Sequence, residues 1–200
     1  MARFNSFLDN LNLTEITRFF REKGCACHYK KEDVFIQQGT VTRYAALVVS
    51  GYFKLSTTNT VGDEAVINFA FPGELITDFH CSLYGEQSEM SIIAGTDCDI
   101  LKVPLKDFID VLSPNLSIEY RSLFKTVLLR HLNIYRKTPE QRYIELCDLY
   151  PDIVKTVALK DIASYLLITP NHLSRIRRKL AAKIKEKYEN SLDYTFVKSK

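Results

Sequence analysis

No apolar run in this 200-residue chain approaches the ~20 residues that a helix needs to cross a bilayer, so no membrane span is expected. The N-terminus, MARFNSFLDN, has no basic segment followed by an apolar one, and no secretory leader is expected. The five cysteines are odd in number and scattered. They fit neither a disulfide framework nor a zinc motif, and a reduced, cytoplasmic setting is the simplest expectation. There is no nucleophile elbow, P-loop or metal motif, and the four histidines (His28, His80, His131 and His172) are dispersed. Catalytic residues, a bound metal and a cofactor are therefore not expected. Glycine is missing from the second half: all seven lie before residue 96, from Gly24 to Gly95.

What is present divides along that glycine boundary. The seven glycines recur at near-regular intervals, with short β-type runs between them. Examples are Tyr44–Val49, Tyr52–Leu55, Ala65–Phe69 and Asp99–Val103. Regular short strands punctuated by turns predict an antiparallel sandwich or barrel. A leading helix is expected over about Ser6 to Glu22, and an all-helical remainder after the barrel.

The segment Leu159 to Leu180, LKDIASYLLITPNHLSRIRRKL, reads as two short helices joined by a tight turn. Leu159, Ile162, Ala163 and Leu166 give the first helix one apolar stripe. Thr169-Pro170 supplies a capping residue followed by proline at the first helical position. The second helix turns Leu173, Ile176 and Leu180 inward. Its other face carries Asn171, His172, Ser174, Arg175, Arg177, Arg178 and Lys179. A helix apolar on one side and rich in Arg, Asn and His on the other suits a DNA major groove. The alternative is a solvated basic face on an ordinary helical pair that contacts protein.

Charge is distributed unevenly. From Lys137 to Lys200 there are 13 Lys+Arg against 8 Asp+Glu, whereas the preceding residues are slightly acidic. Seven basic residues and one acid, Glu186, fall between Pro170 and Lys187. That concentration is the electrostatic footprint of a phosphate-binding surface.

A long helix is predicted over about Asn115 to Lys137, started by Pro114 and stopped by Thr138-Pro139. Leu116, Tyr120, Leu123, Val127 and Ile134 follow a heptad-like spacing, interrupted by Arg130. Phe124, Leu128, Leu132 and Tyr135 lie alongside. One stripe is expected to pack on the barrel and another on a partner copy, since a helix-turn-helix usually works as a two-fold pair.

A β-barrel, a long helix and a helix-turn-helix in this order resemble the CRP/FNR family of bacterial transcription regulators. The residues that carry the resemblance begin with Phe35-Ile36-Gln37-Gln38-Gly39 and Val48-Val49-Ser50-Gly51-Tyr52-Phe53-Lys54-Leu55. Gly62-Asp63-Glu64, Phe71-Pro72-Gly73-Glu74-Leu75, Ala94 through Leu105 and Gln141-Arg142-Tyr143 follow, and then the helix-turn-helix itself. The resemblance implies an α+β fold. Residues 1–113 would form a cyclic-nucleotide-binding-like barrel (a double-stranded β-helix), 114–137 a dimerisation helix, and 138–200 an all-α, winged-helix-like DNA-binding domain. The implied partners are double-stranded DNA, a second copy of the chain and RNA polymerase. The alternative is a ligand- or redox-sensing module with a helical protein-interaction domain.

In family members that bind cyclic AMP, a Glu after Gly holds the ribose, an Arg pairs with the cyclic phosphate, and a Ser or Thr hydrogen-bonds it. Gly73 and Glu74 match the first part. Alignment through Ala94-Gly95-Thr96 places Ser88 and Glu89 where the other two should stand. No arginine occurs between Arg43 and Arg121. A phosphate beside Glu89 without a bidentate guanidinium is poorly compensated, so neither cyclic AMP nor cyclic GMP is the expected effector. Other members hold an iron–sulfur cluster through a close N-terminal group of cysteines. Cys25 and Cys27 would share one side of a strand, with His28 following and His80-Cys81 as distant candidates. With no third and fourth close ligand, packing as small apolar residues is expected. The family's turn usually carries glycine where this chain has Leu167; a left-handed residue there would cost a non-glycine about 1 kcal/mol, a tolerable departure that bears on the turn geometry and not on the motif. The tail after Ala182 is expected either to continue the second helix or to form a short wing.

Overall fold

The computed structural model describes residues 4–5, 8–9, 13–112 and 116–197; at 82–83, 116–120 and 186–197 the backbone alone is described. Helix α1 (Leu13–Lys23) turns Ile16 and Phe20 inward. It starts later than the expected Ser6, and residues 6–7 and 10–12 lie outside the described ones. Six strands follow: β1 (Cys25–Tyr29), β2 (Val34–Ile36), β3 (Tyr44–Ser50), β4 (Phe53–Thr58), β5 (Glu64–Ala70) and β6 (Leu75–Ile76). A short helix α2 (Phe79–Tyr84) then leads to β7 (Ser91–Ala94), β8 (Cys98–Pro104) and α3 (Leu105–Leu112).

The strands form two antiparallel sheets of four, in the orders β1-β8-β3-β6 and β2-β7-β4-β5. This corrects the expected closed barrel. Strands β2 and β6 are three and two residues long, too short to carry a hydrogen-bond ladder across the gap between sheets. Between the sheets lie Ile36, Val48, Phe53, Ile76, Ile92, Cys98 and Ile100, with Cys27, Tyr29 and Phe35 packed against them. The rings of Tyr29, Phe35 and Phe53 meet edge to face, with centroids 5.9 to 6.3 Å apart. Gly51, between β3 and β4, has φ +73, and a Cβ there would lie 2.4 Å from the Asp97 carbonyl oxygen. No other residue satisfies both demands.

Five helices complete the fold: α4 (Leu116–Arg136), α5 (Pro139–Leu149), α6 (Ile153–Thr156), α7 (Leu159–Tyr165) and α8 (Pro170–Val197). The stop read at Thr138-Pro139 is a capping box. Thr138 accepts from the Gln141 backbone, and the Gln141 side chain accepts from the Thr138 N–H. The boundary expected at residues 113–114 and the start at Pro114 lie outside the described residues. No strand occurs after Pro104 among the described residues, so of the two outcomes expected for the tail, a continued helix or a short wing, the helix is observed. The reason is local: after Pro170 there is no Gly or Pro to end α8, and Ala181, Ala182, Lys183, Lys185 and Glu186 are good helix formers.

Two further cores sit outside the sandwich. Leu8, Ile16, Phe20, Leu47, Leu75, Val103, Phe108 and Leu112 bind α1 and α3 to the first sheet. Phe4, Tyr52, Val66 and Phe69 share the second core with Tyr143, Leu146, Ile153, Val157, Ile162, Leu166, Leu173 and Ile176. The helical half therefore shares a core with the second sheet. It also pairs that sheet's outermost strand, β5. The Val66 N–H donates to Ser164 Oγ at 2.9 Å, and Arg130 donates to the Ile67 carbonyl at 2.9 Å.

Candidate nucleic-acid interface

The loop between α7 and α8 is built by backbone geometry. The Leu166 N–H donates to the Ile162 carbonyl, closing α7. Leu167 is left-handed, with φ +56, as the family's glycine position implied, and the Ile168 N–H returns to the Ala163 carbonyl at 3.0 Å. Thr169 Oγ1 then accepts from the His172 N–H at 3.2 Å, which caps the start of α8.

That cap and the core fix which way α8 faces. Leu173 and Ile176 are buried and Leu180 packs beside them. Thr169, Pro170, Asn171, Arg175, Arg177, Arg178 and Lys179 are exposed, while His172 and Ser174 are half-buried. Asn171, Arg175 and Arg178 fall on one ridge, at steps of four and three. Lys179 Nζ lies 2.7 Å from Glu140 Oε2, and Lys183 Nζ lies 3.2 Å from Glu140 Oε1. The hydrogen bonds from Lys179 and then Lys183 hold the Glu140 carboxyl below its ordinary pKa. Lys179 is thus anchored to α5, while Asn171 and Arg175 stand at the exposed start of the helix.

Arg142 locks the two-helix unit to the end of α4. Its guanidinium donates to the carbonyls of Ile134 at 3.1 Å, Lys137 at 3.0 Å and Leu166 at 2.8 Å. A buried lysine with two exposed glutamate partners lies where the sheet meets α7. Lys54 Nζ sits 3.1 Å from Glu64 and 3.4 Å from Glu32, and Lys54 itself is 2% exposed. Burial opposes its charge, but the Glu64 hydrogen bond and the fields of Asp161, Glu64 and Glu32 outweigh it, and the Lys54 pKa rises. Burial also raises the pKa of the Asp161 carboxyl on α7, against the pull of Lys54 and Lys160.

On α4, Leu123 packs against the core under α3. Val127 and Ile134 are exposed, and so are Phe124, Leu128, Leu129 and Tyr135. The expected stripe is therefore divided: Leu123 belongs to the chain's own core, whereas Phe124 and Val127 head an outward face. The side chains of Leu116 and Tyr120 lie outside the described residues.

Of the four residues aligned with a nucleotide site, Gly73 and Glu74 both pair with the Val48 backbone, while Ser88 and Glu89 are held by other partners. Gly73 donates its N–H to the Val48 carbonyl at 2.9 Å. Glu74 is 1% exposed, and its carboxylate takes the Asn5 N–H, the Asn5 side-chain amide and the Phe71 N–H. Burial pushes its carboxyl pKa up, against those donors. Ser88 Oγ instead donates to Asp78 Oδ2 at 2.7 Å and to the Met90 carbonyl. Glu89 is exposed, and its carbonyl accepts from Thr57. Cys25 is exposed and Cys27 half-buried, packed against the sandwich interior. No group of three or more metal-ligating side chains gathers among the described residues. Sequence reasoning missed Phe4, Asn5, Lys54, Asp161 and Arg142 as parts that join the halves. Arg130, which breaks the heptad spacing, was the one signal available.

Residues 26–115 match the family model of the cyclic nucleotide-binding domain. This part of the chain is similar to that family over 90 of the 200 residues. The fold continues beyond it into the helical half in solved structures with the same architecture. A CooA mutant from Carboxydothermus hydrogenoformans aligns with a TM-score of 0.64 at 17% identity, over 87% of this chain and 86% of that one. FixK2 from Bradyrhizobium japonicum gives 0.63 at 16%, over 80% and 85%. TTHA1359 from Thermus thermophilus, a transcriptional regulator of the CRP/FNR family, gives 0.60 at 15%, over 80% and 87%. Among curated proteins, none matches the sequence. Within the matched residues, Glu74 is engaged by Asn5, and the interior between the sheets holds Tyr29, Phe35 and Phe53.

Proposed function

We propose that the chain is a sequence-specific DNA-binding transcription regulator that works as a homodimer and does not take cyclic AMP as its effector. The observation that carries this reading is the exposed ridge Asn171–Arg175–Arg178 on a helix that Thr169 caps and Leu173 and Ile176 anchor. Asn171 and Arg175 are assigned to base edges, since Asn pairs with adenine and Arg with guanine. Thr169, Pro170, His172, Ser174, Arg177, Arg178 and Lys179 are assigned to nearby bases and phosphates, which set position more than sequence. Lys179 exchanges Glu140 for a phosphate when DNA is bound. The outward face of α4, headed by Phe124 and Val127, receives the second copy. Contact with RNA polymerase belongs to the same reading.

The test is selection from randomised duplex DNA by fluorescence anisotropy, with and without cyclic AMP, at several salt concentrations. The expected result is a two-fold-symmetric site recovered without the nucleotide, with affinity that falls steeply as salt rises. Arg175→Ala is expected to lower specific binding far more than nonspecific binding. Recovery of a site only with cyclic AMP would overturn the effector statement. Absence of any salt-dependent affinity would favour a helical half that contacts protein.

A further inference from the structure

The second core is pinned by two residues from far away in sequence. Phe4 is 6% exposed and Asn5 4%. The Phe4 ring meets four aromatic rings: Phe69 at 5.7 Å and Phe71 at 5.5 Å on the sheet side, Tyr150 at 4.7 Å and Tyr165 at 5.7 Å on the helical side. Tyr150 Oη donates to the Phe4 carbonyl at 3.0 Å. The Arg130 guanidinium lies 5.9 Å from the Phe4 ring and 5.2 Å from the Tyr165 ring. Asn5 is read on both polar atoms of its side chain as well as its N–H. The N–H donates to Glu74 Oε1 at 2.8 Å, and Nδ2 donates to Glu74 Oε2 and to the Phe69 carbonyl, both at 2.8 Å. Its Oδ1 accepts from Asn68 Nδ2 at 2.8 Å, and Asn68 Oδ1 in turn accepts from Arg130 at 3.2 Å.

We propose that this cradle is a peptide-binding site filled in cis: Glu74, Asn68 and the Phe69 carbonyl recognise the Phe4–Asn5 backbone and carboxamide, and that occupancy holds the helical half on β5. Two features argue for a specific receptor over ordinary packing. The Glu74 carboxylate is satisfied by N–H donors, and two of the three named ones come from Asn5. If the segment leaves, a buried carboxylate is left short of donors, which is strongly unfavourable, so the cradle either stays filled or opens. Phe4 also touches sheet and helices at once, through Phe69 and Phe71 on one side and Tyr150 and Tyr165 on the other. The segment thus controls the contact through which α7, and with it α8, is tethered. The inference does not depend on the DNA reading, because its test involves no DNA.

The experiment is hydrogen–deuterium exchange on the full chain and on full-chain variants. Asn5→Ala and Phe4→Ala are each expected to speed exchange about tenfold or more at the amides of Val66 and Ile162–Leu166, a local opening and not a global one. The amides of Ile100 and Val103, deep in the first sheet, are expected to keep their rates. Adding the peptide acetyl-Arg-Phe-Asn-Ser-amide to the Asn5→Ala protein is expected to restore protection at α7, while the same peptide with alanine for asparagine does not. Unchanged α7 exchange in both variants would overturn the proposal. So would equal acceleration through both sheets, or failure of the peptide to restore protection.

Discussion

Arg142 holds the carbonyl of Leu166, the residue immediately before the left-handed Leu167, at 2.8 Å. The same guanidinium also takes two carbonyls at the end of α4. One planar cation thereby fixes the angle between the long helix and the turn that presents α8. Lysine has the charge, but its three donors sit on one nitrogen and cannot span carbonyls that Arg142 reaches from two, Nη1 and Nη2.

Arg142→Lys is therefore expected to destabilise the chain by about 1–3 kcal/mol, the usual cost of losing hydrogen bonds made by a charged group. Arg142→Ala is expected to cost at least as much. Urea denaturation followed by circular dichroism measures both, and a lysine variant as stable as the parent would show that charge alone suffices at this position.

Leu167 carries the opposite expectation. Its side chain is 58% exposed, so little apolar burial is lost on removing it, while its φ of +56 burdens any residue with a Cβ. Leu167→Gly is expected to raise stability by about 1 kcal/mol or somewhat less. A lower urea midpoint would mean that the leucine side chain contributes packing that outweighs the backbone strain.

Tyr143 and Tyr150 should report the integrity of the second core. Burial, reinforced by the Cys147 hydrogen bond, pushes the Tyr143 phenol up to about 12. Burial, with the nearby Glu74 charge, does the same to Tyr150. The folded chain keeps both protons between pH 10 and about 12, where the unfolded chain releases them. Their contribution to stability is complete below about pH 10 and falls as pH rises through that window. Absorbance titration at alkaline pH is expected to show two tyrosines ionising last, coincident with unfolding. Alkaline titration curves of Tyr143→Phe and Tyr150→Phe chains that keep the parent's full late phase would contradict this.

Phe124 is 68% exposed and Val127 56%, so a charge at either position disturbs no intrachain core. Phe124→Asp and Val127→Asp are expected to leave the circular dichroism unchanged and to shift a dimer to monomer in sedimentation velocity. A parent chain that sediments as a monomer at micromolar concentration would remove the partner copy from this face.

Much of the fold was legible because local rules and tertiary packing agree. The capping box at Thr138–Gln141, the cap at Thr169 and the inward Leu173 and Ile176 all obey spacing rules that hold in any context. The family's glycine marked Leu167 as a departure, and the structure keeps the left-handed turn there at the leucine's expense. The barrel closure was misjudged, and the tail stood open between helix and wing. Closure depends on strand length, and alternation does not show that β6 is two residues long. For the tail, a glycine-free Ala-Lys-Glu run decides in favour of continued helix. The Glu74 surroundings were not legible at all, since Asn5 lies 69 positions away and no periodicity marks it. Lys54 reads as a surface residue in the strand pattern and becomes buried only because Glu32, Glu64 and Asp161 surround it.

Strand β5 is the last strand of its sheet, and its free side is taken up by Ser164 and Arg130 from the helical half. An uncovered strand edge is a template on which another chain can add a strand. During synthesis the sheets emerge before α7 exists, so every molecule passes through a stage in which this edge, with Ile67 on it, is bare. The C-terminal helices thus act as a guard against aggregation, and a ribosome that stalls between residues 112 and 159 would release the most self-adhesive form of the protein.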